Sequence, residues 1–154
     1  MKWHVLNSYE LTKAISIGIA VSILTAVFMV GTFKAGISPL PESLGLAFAE
    51  KVIERPLPLP VGLLFHTVWT TAFSVLYVIL FRDVLTFTRA AGLAVLLWLS
   101  VLVFFFPVVG WGFLGLAVSP RLIVGAAIPH FLFAVFLWGL RRWMFPLAVN
   151  VRHV

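Results

Sequence analysis

Basic residues cut this chain into four long uncharged stretches. Residues 14–33 lie between Lys13 and Lys34, residues 61–81 precede Arg82, residues 90–120 lie between Arg89 and Arg121, and residues 122–140 precede Arg141 and Arg142. A helix needs about 20 apolar residues to cross the hydrocarbon core of a bilayer, so three of the stretches match one crossing each. The stretch 90–120 is longer, and Pro107 divides it into a span and a connection containing Gly110, Trp111, Gly112 and Gly115. The pattern predicts an all-α fold: an integral membrane four-helix bundle forming a single domain, 1–154, with spans at about 14–33, 61–81, 90–107 and 122–141. Met1 and Lys2 before the first apolar run resemble a signal peptide, but that run exceeds the usual 7–15 residues, and a retained helix is expected.

The first connection runs from Lys34 to Pro60, 27 residues, where bundle helices are usually joined by about 2–8. Within it, residues about 42–55 form a candidate interfacial helix. Leu44, Phe48 and Val52 fall on one side of a helical wheel, with Ser43, Glu50 and Glu54 on another. Pro56, Pro58 and Pro60 then stop it, because proline lacks the amide donor and disfavours helix in the residue before it. Such a helix either lies on the outer membrane surface or closes a site between the spans. In the third connection Trp111 suits the membrane interface, with its ring in the acyl boundary and its N–H wet.

Two stripes run along the spans. Ala14, Gly18, Ser22 and Ala26 recur every fourth residue, a small-xxx-small pattern that lets a second backbone approach closely, from the same bundle or from another protomer. On the second span His66, Thr70, Ser74 and Tyr77 lie within about 80° of one helical face. Unpaired polar groups are costly in hydrocarbon, so this face points into the bundle. On the fourth span His130 opens a comparable face that ends at Arg141, and both histidines fall in the outer halves of their helices. A packing role would have each imidazole hydrogen-bond a hydroxyl or a carbonyl loosened by Pro129. A functional role is the other reading of an intramembrane histidine, and ligation of a b-type haem between His66 and His130 is its most specific form.

Composition limits the chemistry. With 62% hydrophobic and 10% charged residues the chain lacks the polar surface of a water-soluble domain. The net charge of +6 comes from Lys and Arg at span ends, where lipid headgroups are the neighbours, and not from a basic patch for nucleic acid. There is no Cys, and no carboxylate lies inside a span, which removes thiolate and paired-acid catalysis and leaves no set of ligands for a protein-bound metal. Lys2, Lys13, Arg82, Arg89, Arg141, Arg142 and Arg152 fall on one side of the predicted membrane, and Lys34, Lys51, Arg55 and Arg121 on the other. Cytoplasmic segments carry the excess, so both termini are expected in the cytoplasm.

Three short motifs resemble the YagU-like four-helix proteins of the bacterial inner membrane. They are the Gly-x-x-x-x-Gly-x-x-Pro-x-Pro stretch from Gly31 to Pro41, the His-x-x-aromatic motif from His66 to Trp69, and the Pro-His-Phe-x-Phe pattern from Pro129 to Phe133. The resemblance implies a four-helix membrane fold and no particular activity. Gly62 and Gly125 also stand four or five residues before the two histidines, hinting at duplicated helical hairpins.

The expected function is that of a small polytopic inner-membrane protein without recognisable catalytic machinery, either a structural subunit or a lipid- or small-molecule-binding bundle. Its candidate binding residues are His66, Thr70, Ser74, Tyr77 and His130, and its partners are membrane lipids, a second protomer docked on Ala14, Gly18, Ser22 and Ala26, or a larger membrane complex. The sequence favours no cofactor and no enzymatic step. Its alternatives are an electron-transfer module holding haem b and a small transporter acting as an oligomer.

Overall fold

A computed structural model describes residues 6–81 and 86–145. Helix α1, Ser8–Lys34, starts at Asn7. The Asn7 side chain accepts from the Glu10 amide at 2.9 Å, and the Glu10 carboxylate accepts from the Asn7 amide at 3.1 Å, so two amides that would otherwise lack partners are satisfied. The helix therefore begins six residues before the apolar run that predicts it. Helix α2, Leu44–Ile53, ends where Glu54 turns into the left-handed region at φ 57°. The Glu50 carboxylate then accepts from the Leu57 amide at 2.8 Å and folds the proline segment back.

Helices α3, Leu59–Phe81, α4, Phe87–Val108, and α5, Arg121–Met144, complete the bundle. One turn of α4, Val101–Phe105, widens to the i→i+5 pattern just before Pro107. A proline removes one amide donor and crowds the preceding turn, which accounts for the loosening there. Among the described residues there is no strand, and α1, α3, α4 and α5 are each long and apolar enough to cross a membrane. The predicted all-α four-helix bundle is the observed architecture, and the chain is a multi-pass membrane protein.

The helices form an arc in the order α3, α1, α5, α4, with α2 lying on α3 and only slight contact closing the ring between α3 and α4. The small stripe of α1 faces α3 of the same chain. A Cβ on Gly18 would stand 2.6 Å from Thr71 Cα, and the Ser22 hydroxyl donates to Thr67 Oγ1 at 2.8 Å. The close approach that Ala14, Gly18 and Ser22 allow is thus used inside the bundle. Two packed cores follow. One, around Ile17, Val21, Tyr77, Leu93 and Leu137, lies toward the end holding Ser8 and Met144. The other, around Ala47, Val101, Phe106, Trp111 and Leu122, lies toward α2. Trp111, in the connection after α4, is buried against Phe106, ring centroids 5.2 Å apart. Gly110, Gly112 and Gly115 take positive φ and fold the connection over that ring.

Candidate functional site: a roofed cavity between the histidines

Backbone crossings at glycine build the roof. A Cβ on Gly45 of α2 would sit 2.6 Å from the Gly62 carbonyl oxygen, and a Cβ on Gly62 would sit 2.8 Å from Leu46 Cα. The Pro39 ring and the Leu40 side chain, in the connection before α2, rest on Gly125 of α5. The glycines standing four and five residues before His66 and His130 therefore let the first connection press onto α3 and α5 directly above the two imidazoles. Beneath it is a cavity of about 400 Å³, bordered by α1, α2, α3, α4 and α5. The reading of residues 42–55 as a cover over a site describes this arrangement.

His66, Thr70 and His130 all line the cavity. Thr25, on the polar continuation of the α1 stripe, holds the first of them, with Oγ1 3.0 Å from His66 Nε2. The single proton of that hydroxyl is engaged by the Val21 carbonyl at 2.8 Å, with the Ser22 carbonyl also near at 3.1 Å. Nε2–H of His66 is therefore the donor to Thr25, and in the neutral ring Nδ1 keeps a lone pair. His130 Nδ1 donates to the Ala126 carbonyl at 2.7 Å, which leaves a lone pair on Nε2. The partner is one carbonyl along from Gly125, the one Pro129 leaves without an amide. Both rings thus use their N–H on the protein, that of His66 toward Thr25 with the Ser22 carbonyl also within reach, and each keeps one nitrogen as an acceptor.

The same face of α3 continues past the cavity. Ser74 is buried and donates to the Thr70 carbonyl at 2.8 Å, and Tyr77 Oη lies 3.4 Å from the Thr86 carbonyl. Neither lines the cavity, so the candidate set divides by depth: His66, Thr70 and His130 meet, while Ser74 and Tyr77 belong to the core beyond. There the fully buried Arg141 guanidinium lies 5.4 Å from the Tyr77 ring centre.

The rest of the lining is mainly apolar, with Lys34 and Glu42 at the α2 end. Burial, and secondarily the nearby Glu50 charge, raises the Glu42 carboxyl above the usual carboxylate range. Between α3 and α4 the wall is aromatic. Trp69 stands 5.2 Å from Phe105, edge to face, and Phe48 of α2 is 5.0 Å from both Phe65 and Phe105. The widened turn of α4 carries Phe105 into this wall.

Among the described residues no group of three or more His, Asp or Glu is placed to hold a metal ion. A haem fits the arrangement poorly, because ligation through His66 Nε2 would break its bond to Thr25, and among the cavity's residues only Lys34 offers a fixed cation for two propionates. Compared with known proteins, the chain matches no protein-family model, no curated protein and no solved structure.

Proposed function

We propose that this protein is a binding bundle for a small, largely apolar molecule, held within a bacterial inner membrane with both termini in the cytoplasm. The observation that carries the reading is the roofed cavity of about 400 Å³ between His66 and His130. Its volume falls within the range of small-molecule sites, roughly 300–1,000 Å³, which combine apolar walls with a few placed polar groups. Leu40, His66, Trp69, Pro129 and Phe133, from three separate segments of the chain, border this one space, and that convergence supports the reading. The orientation rests on the seven-to-four division of Lys and Arg.

Purification in mild detergent followed by native mass spectrometry tests the reading. A bound small-molecule mass should accompany the wild-type protein. Ala126→Phe, which fills the cavity from a buried position beside His130, should remove that mass while the protein stays folded. Retention of the same mass by the filled variant would place the ligand elsewhere. The absorption spectrum of the same sample should be featureless in the visible; the sharp bands of six-coordinate b-type haem, stoichiometric with protein, would replace this reading with the electron-transfer one.

A further inference from the structure

The polar groups of the cavity specify more than an apolar guest, and the following rests on the binding reading above. We infer that the ligand is a membrane-dissolved amphiphile whose head donates a hydrogen bond, a long-chain alcohol in its simplest form, and that it enters sideways from the bilayer through the α3–α4 seam.

The head is specified by what the imidazoles have left to offer. His66 gives its N–H to Thr25 and His130 gives its N–H to the Ala126 carbonyl. What remains at each ring is a lone pair, and both rings line the same cavity. A carbonyl, ether or carboxylate oxygen could accept only from Thr70 and would leave both imidazole lone pairs without a donor. A hydroxyl donates to either nitrogen, and the Thr70 hydroxyl, which makes no hydrogen bond among the described residues, stands on the same cavity wall to donate to its oxygen. Thr25 is the positioning residue, since it fixes which nitrogen of His66 is left as acceptor.

The route is specified by the arc of helices. α1 packs on α3 and α5, and α4 packs on α5, but α3 and α4 scarcely meet. The wall between them is one aromatic layer. Trp69 lines the cavity and is also 38% exposed on the outer surface of the bundle, and Phe105 completes the layer from α4. A rotamer change at these two side chains opens the cavity to lipid without unpacking a helix, whereas the α2 roof is held by glycine-to-backbone crossings. A guest that comes from the hydrocarbon carries an apolar body, which matches the rest of the lining.

Parinaryl alcohol, its methyl ether and the corresponding parinaric acid, added to the protein in nanodiscs and followed by energy transfer from tryptophan, separate the possibilities. The alcohol is expected to bind roughly tenfold or more tighter than the ether, the discrimination set by one buried donor–acceptor pair. His66→Leu and His130→Leu should each cut that preference severalfold, and His66→Asn, which retains an acceptor, should keep more of it. Trp69→Ala should raise association and dissociation rates together by about tenfold, while leaving the alcohol-to-ether preference in place. Equal binding of alcohol and ether, or tighter binding of the acid at a pH high enough to keep it ionised, overturns the donor-head inference while the binding reading stands. Unchanged rates in Trp69→Ala overturn the seam as the route. Failure of all three probes to bind overturns the binding reading itself.

Discussion

Gly18 and Gly31 lie on one helix and differ only in what stands opposite them. A Cβ at Gly18 meets the backbone of Thr71 at 2.6 Å, which cannot rotate away, whereas a Cβ at Gly31 meets nothing within 4 Å. Gly18→Leu is therefore expected to destabilise the protein by at least the 1–3 kcal/mol typical of overpacking, and Gly31→Leu to stay within about 1 kcal/mol of the parent. Thermal unfolding in detergent, read by loss of the monodisperse fraction, checks the pair; equal tolerance would mean that α1 and α3 are not in contact. At this scale the sequence was informative about faces and silent about depth. Periodicity correctly put His66, Thr70, Ser74 and Tyr77 on one inward face, but whether an inward face meets a cavity or a packed core depends on its neighbours. Thr25 stands outside the every-fourth-residue pattern of Ala14, Gly18, Ser22 and Ala26, though a hydroxyl beside such a stripe is itself a signal for a polar partner.

Among the elements, α2 departs most from what its own sequence explains. Its apolar side and proline stop were legible, and the observed Leu44–Ile53 falls inside the predicted 42–55. Its docking was not, because Gly45 of α2 and the glycines on other helices, Gly62 and Gly125, show their use only once the facing segments lie over them. Glu42 gives this element a pH dependence. Its carboxyl is raised by burial first and by Glu50 second, so the folded state favours the protonated form. A raised acid contributes stability that is present below its ordinary range and is lost as pH rises through the raised value. Glu42→Gln imitates the protonated group at every pH. The variant and the parent should therefore melt together in acid, and the variant should melt modestly higher at neutral pH. The reverse order at neutral pH would show the Glu42 carboxylate to be stabilised by a cation such as Lys34.

For the whole molecule, hydropathy was sufficient for the number of spans because hydrocarbon permits few alternatives to a helix. Span ends were less legible. α1 starts with a polar turn secured by Asn7 and Glu10, which no apolar count registers. The arc in the order α3, α1, α5, α4 was also hidden, since the exposed apolar residues that face lipid resemble those that face a neighbour. Orientation follows from charge. Lys34, Lys51, Arg55 and Arg121 mark the α2 end, against seven Lys and Arg assigned to the opposite side, and the same first connection holds Glu42, Glu50 and Glu54. Basic segments are retained in the cytoplasm, so the α2 end should be the one translocated. An α2 end so translocated would put the roof and both histidines in the outer half of the membrane, and the proposed seam would then draw its ligand from the outer leaflet. Because the chain has no native Cys, single cysteines at Lys51 and Arg142, both exposed, can be probed with a membrane-impermeant maleimide on intact cells. Lys51→Cys should label at once and Arg142→Cys only after lysis. The opposite pattern would invert the protein, put α2 in the cytoplasm, and move the source of the ligand to the inner leaflet while leaving the chemistry of the cavity unchanged.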